Sequence, residues 1–82
     1  MPLFYLLTMT ETGKILWFNT QKGFGFILRD GLKMEDLNSQ VFFHQSAVSV
    51  TDLTTLKPNT TVIFEIIPGK KKGSLEAMNV HL

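Results

Sequence analysis

The side chains in this sequence that could do chemistry are aromatic, and they recur at strand spacing. In Lys22-Gly23-Phe24-Gly25-Phe26-Ile27 an extended backbone sends Lys22, Phe24 and Phe26 to one face and Gly23, Gly25 and Ile27 to the other. A core strand directs its bulk inward, yet here the inward side is mostly glycine, so the aromatic side reads as a surface. In Val41-Phe42-Phe43-His44 the same alternation pairs Val41 with Phe43 and sets Phe42 and His44 on the opposite face. Trp17, and with it Phe18, lies in the preceding apolar run. Trp17, Phe24, Phe26, Phe42 and His44 together read as an aromatic platform flanked by Lys22. The chemistry of such a platform is stacking: every nucleobase has a π-face, and each stacked base contributes roughly 1–3 kcal/mol. Several such contacts give affinity for a single-stranded nucleic acid without much net charge. Alternation alone also allows a buried aromatic stripe, and for Phe42 and the Phe24–Phe26 pair it leaves both readings open.

Other chemistries find no support. Gly23-x-Gly25 lacks the third glycine of a dinucleotide cradle and does not open a helix. There is no cysteine, which excludes disulfides, thiolate zinc ligands and thiol nucleophiles; His44 and His81 alone do not make a zinc site. No nucleophile, base and orienting group can be named together, so the chain reads as a non-enzyme needing no cofactor, with no small-molecule substrate. Asn59-Thr60-Thr61 matches a glycosylation acceptor by pattern only.

The elements that must position the aromatic residues are short strands between turn-forming clusters: Asn19-Thr20-Gln21-Lys22-Gly23, Arg29-Asp30-Gly31, Lys57-Pro58-Asn59 and Pro68-Gly69-Lys70-Lys71-Lys72-Gly73. The runs between them, rich in aromatic and β-branched residues, predict strands at about 13–19, 22–28, 40–45, 60–67 and 75–81. Val62, Phe64 and Ile66 form the inward face of the fourth. Residues 29–39 read as a long connection with room for one helical turn, and 46–56 as a Ser/Thr-rich stretch with room for a short 3₁₀ turn. This pattern is all-β: a five-stranded antiparallel barrel of the OB type, which leaves one face open to ligands.

Eighty-two residues make one domain, and so short a chain without disulfide staples points towards the cytoplasm. Eight basic residues against seven acidic ones, a formal net charge of +1, argue against binding driven by phosphate attraction alone. The Lys70-Lys71-Lys72 loop reads either as a solvated turn or as a cluster steering backbone phosphates; Arg29 and Lys33 offer the same two readings. Residues 1–9 hold the apolar run Leu3–Leu7, without the basic leader of a signal peptide or the roughly 20 apolar residues of a membrane span. They read as a poorly ordered or locally packed extension ahead of a domain at 10–82, or as a tail that promotes self-association. No membrane partner is expected.

Three segments resemble the cold-shock domain family. Gly13-Lys14-Ile15-Leu16-Trp17-Phe18-Asn19 is similar to its opening strand, Lys22-Gly23-Phe24-Gly25-Phe26-Ile27 to its first ribonucleoprotein motif, and Val41-Phe42-Phe43-His44-Gln45-Ser46 to its second. Val62-Ile63-Phe64-Glu65 and Glu76-Ala77-Met78-Asn79-Val80 fit its last two strands. The resemblance implies a binder of single-stranded RNA and DNA with low sequence selectivity, acting as an RNA chaperone or a regulator of transcription or translation. It implies stacking on Trp17, Phe24, Phe26, Phe42 and His44, with Lys22 as a phosphate or base contact and Asn19 as a polar neighbour; Phe18, Gln45, Lys70 and Lys71 complete the expected nucleic-acid-binding set. Four departures accompany it. Leu16 stands where lysine is common; Gln45 stands where bacterial members carry phenylalanine; the 46–56 loop lacks an aromatic; and the 29–39 connection is long. Together they predict weaker binding over a shorter footprint. The alternative from a different class is a protein-interaction OB module whose aromatic surface meets a partner or a second copy. The expected state is a monomer, or a homodimer if the long connection permits strand exchange.

Overall fold

The computed structural model describes residues 10–82; the expectations for residues 1–9 lie outside the described residues. Five strands, β1 (Thr10–Asn19), β2 (Phe24–Arg29), β3 (Gln40–His44), β4 (Thr61–Pro68) and β5 (Leu75–His81), form a closed barrel in the order β1-β2-β3-β5-β4. Four of the pairings are antiparallel; the closure of β3 on β5 is parallel and rests on the Phe42–Glu76 register, extended by a bridge from Val48 to Val80.

Inward alternation builds the core. Ile15 from β1, Ile27 from β2, Val41 and Phe43 from β3, Val62 and Phe64 from β4, and Ala77 and Val80 from β5 are all buried. The β3 and β4 faces are those expected from their alternation. Val48 and Leu56, from the connection between β3 and β4, close the same cluster. That connection holds 3₁₀ turns at Gln45–Ala47 and Val50–Thr55.

β4 lies one residue later than the sequence reading, and the ends of β1, β2 and β3 differ from it for identifiable reasons. β1 begins earlier because Thr10–Lys14 pairs with Thr61–Glu65 of β4 before the strand reaches β2. β2 begins later because the Asn19 Oδ1 accepts the Gln21 and Lys22 amides at 3.0 and 2.8 Å, and the Gly23 amide donates to the Asn19 carbonyl at 2.8 Å. This local side-chain capping closes a turn, completed by Gly23 at φ 75°, a left-handed conformation that favours glycine. β3 stops at His44, where the first 3₁₀ turn starts.

Residues 30–39 contain turns and no helix, but they are pinned. The Arg29 guanidinium holds Glu11 through two bonds of 2.8 Å and donates to the Asn38 carbonyl at 3.0 Å. The Ser39 hydroxyl and the Gln40 amide both donate to the Met34 carbonyl, at 3.1 and 3.3 Å.

Candidate nucleic-acid interface

A bulge decides which way the tryptophan points. Regular alternation from Gly13 and Ile15 would carry Trp17 into the core and Phe18 out to solvent. The β1–β2 register instead slips between Ile15 and Trp17: Ile15 lies opposite Ile27, Trp17 opposite Phe26, and Leu16 is the extra residue. Such a bulge re-aims every side chain beyond it. Trp17 is thereby exposed, at 42%. Phe18 turns inward and stacks on the buried Phe43 with ring centroids 5.6 Å apart, so it does not join the aromatic surface as the sequence reading expected.

Three rows then cross the outer face of β1, β2 and β3. Asn19, Phe24 and His44 form the first, Trp17, Phe26 and Phe42 the second, and Lys14, Leu28 and Gln40 the third. Ring centroids lie 5.4 Å apart for Trp17–Phe24 and Trp17–Phe26, 5.6 Å for Phe24–Phe42 and 5.8 Å for Phe26–Phe42. These are the spacings of favourable ring contacts, stacked for Phe24–Phe42 and tilted or edge-on for the others. Phe24, Phe26 and Phe42 are half-buried, and His44 is exposed.

Gly25 makes this possible from beneath: a Cβ there would strike the Trp17 carbonyl and come within 2.9 Å of the Phe43 ring. The absent side chain lets β1 and the core ring close up under the aromatic face.

The other expected contacts divide. Lys22 lies in the turn before β2 rather than on the strand face, and its side chain is exposed. The side-chain oxygen of Asn19 is spent on capping that turn, so Asn19 shapes the surface more than it extends it. Gln45 packs its amide against Gly23, where a Cβ would meet it at 2.9 Å. Lys70 and Lys71 line a groove of about 840 Å³ between β3 and the β4–β5 connection, facing Phe26, Phe42 and His44. Arg29, by contrast, is taken up by Glu11. The hydrogen bond that the guanidinium donates to that carboxylate raises the Arg29 pKa, so Arg29 stays charged but, held by Glu11, is no free phosphate contact.

Sequence reasoning missed Lys14, Leu28, Gln40, Asn38 and Glu76. Leu28 and Gln40 lie one alternation step from Phe26 and Phe42 and were legible by extending that count. Lys14 is reached only across the bulge; it makes a 3.5 Å ion pair with Asp30, which also accepts from the Thr12 hydroxyl at 2.7 Å. Asn38 and Glu76 enter the groove wall through the pinned loop and the parallel closure, neither of which has a local signal.

The sequence matches the family described as "'Cold-shock' DNA-binding domain" over residues 11–82. It is 39% identical over 73 residues to the probable cold shock protein y4cH of Sinorhizobium fredii, covering 89% of this chain and 99% of that one. It is 42% identical over 70 residues to the cold shock-like protein CspA of Stigmatella aurantiaca, covering 85% and 93%. In structure it is similar to the solved drosophila Unr CSD456, with a TM-score of 0.67 at 20% identity, over 99% of this chain and 30% of that longer one. A closed five-stranded barrel, two aromatic motifs on its outer face and these matches lead to one conclusion: the chain belongs to the cold-shock domain family of nucleic-acid-binding domains.

Proposed function

We propose that this chain binds single-stranded RNA and DNA by stacking successive bases on Trp17, Phe24, Phe26, Phe42 and His44. Lys22, Lys70 and Lys71 then meet backbone phosphates, and the cellular role is that of an RNA chaperone or regulator of transcription or translation in the cytoplasm. The observation that carries the reading is an aromatic surface of four rings within 5.8 Å of their neighbours, outside a core already complete without them. A globular chain gains nothing in folding from leaving such area exposed, and stacked bases cover it with favourable contacts whatever their sequence.

Trp17 is the only tryptophan and sits in the second row, so its fluorescence reports on the site itself. Titration with a short oligothymidine is expected to give saturable quenching at low salt that weakens only moderately at higher salt. No change at either salt sinks the proposal and favours the rival, in which the same surface meets a protein partner. Light scattering with and without oligonucleotide then identifies a self-associated state.

A further inference from the structure

We propose that His44 is fixed by its own backbone as a hydrogen-bond donor, and that the platform end it occupies takes an acceptor oxygen of the nucleic acid. This rests on the stacking reading of the same surface. His44 precedes the Gln45–Ala47 turn as its N-cap, and its Nδ1 accepts the Ser46 amide at 3.1 Å, with the Ser46 Oγ at 2.9 Å from the same nitrogen.

A backbone N–H can only donate, so Nδ1 must carry a lone pair while this bond stands. A neutral imidazole whose Nδ1 is an acceptor holds its proton on Nε2. Hydrogen positions are often ambiguous for histidine; here the peptide group decides them.

Nε2 has no hydrogen-bond partner among the described residues, and the ring lines the groove that Lys70 and Lys71 line from the β4–β5 side. The Nε2–H and the two ammonium groups are all donors. Glu76, a carboxylate lining this groove, lies opposite Phe42, one row away from His44. The Nε2–H at the His44 end therefore calls for an acceptor, which oligothymidine supplies chiefly as a base carbonyl or a phosphate oxygen. The Ser46 amide acts as a positioning group: it sets the tautomer and the ring angle, and makes no demand on the ligand itself.

The test begins on the free full-length chain with long-range ¹H–¹⁵N correlation of the histidine rings at pH 8. His44 is expected to show the Nε2–H pattern, and Ser46→Ala, which keeps the amide, is expected to retain it. An Nδ1–H pattern in either protein overturns the proposal independently of any ligand. Oligothymidine titration of His44→Phe, which keeps a stacking ring and removes the donor, is then expected to show affinity about fivefold lower, the worth of one ordinary hydrogen bond.

Equal affinity in the two proteins overturns the donor role while leaving the stacking reading intact. Absence of binding to the unsubstituted chain overturns both. Repeating the titrations with an oligomer of 2,4-difluorotoluene nucleosides, which keep a stacking ring and lack the base carbonyls, separates the two sources. If the fivefold difference vanishes, the acceptor is a base carbonyl; if it persists, the acceptor is a phosphate oxygen.

Discussion

Phe24 has Trp17 on one side at 5.4 Å and Phe42 on the other at 5.6 Å, and its side chain points away from the core. Truncating it removes the middle of the aromatic surface and leaves the packed interior alone. Phe24→Ala is expected to weaken oligothymidine binding by roughly 1–3 kcal/mol with an unchanged circular dichroism spectrum. Loss of the folded spectrum would make Phe24 a core residue and end the stacking account. Gly25, the next residue along, has the opposite phenotype. A methyl group there meets the Trp17 carbonyl and the Phe43 ring, neither of which can yield without moving β1 or the core. Gly25→Ala is expected to cost about 1–3 kcal/mol of stability, as overpacking does, read as a lower midpoint in thermal unfolding. An unaltered midpoint would mean that β1 and β2 do not approach as closely as they do here. Two adjacent residues, one tested by binding and one by melting, separate the surface from its support.

The elements hold these residues in place through contacts that differ in how far they reach along the chain. Arg29 ties β1 to β2 through Glu11 and ties both to the 30–39 connection through the Asn38 carbonyl. With side-chain exposures of 22% and 25% the pair is partly shielded, and Arg29→Ala is expected to cost about 1 kcal/mol. Its sharper effect is local. Hydrogen exchange should accelerate at the Asp36 and Ser39 amides, which bond within the connection, while β4 amides keep their protection. Uniform acceleration would show instead that the pair supports the whole barrel. The Glu11 hydrogen bond raises the Arg29 pKa, so its stabilising effect is fully present below the guanidinium's unfolded value and is lost only as pH rises past the folded one. The variant and parent should therefore differ by the same amount from pH 7 to pH 9.

The same range of reach explains what was legible beforehand. The faces of β3 and β4 follow from local alternation, Val41 with Phe43 and Val62 with Phe64, and were readable. The bulge at Leu16 carries no glycine or proline to mark it, and without it Trp17 and Phe18 exchange places. The first residues of β1, Thr10-Glu11-Thr12, have no apolar alternation; they are strand because β4 pairs with them. The parallel closure that brings Glu76 beside Phe42 joins distant parts of the chain and leaves no local trace.

Taken as a whole, the molecule is poor in charge for a nucleic-acid binder, with eight basic residues against seven acidic ones, and two of its cations already face carboxylates: Lys14 with Asp30 and Arg29 with Glu11. Around the aromatic surface this leaves Lys22 in the turn before β2 and Lys70 and Lys71 along the groove. Each phosphate neutralised on a single strand contributes about −0.7 to the slope of log affinity against log salt. Contacts from these lysines alone therefore predict a slope of about −2 for oligothymidine. A slope steeper than about −4 would require cations that the surface does not present, and would shift the main driving force from stacking to phosphate attraction. Replacing Lys70 and Lys71 together by glutamine should flatten the slope by a little over one unit, about −1.4 being the share of two phosphates. Trp17 quenching should still saturate, because the rings that stack are untouched. If the double replacement abolished quenching at low salt, the groove lysines would be holding the strand on the surface, and the rings would serve only to align it.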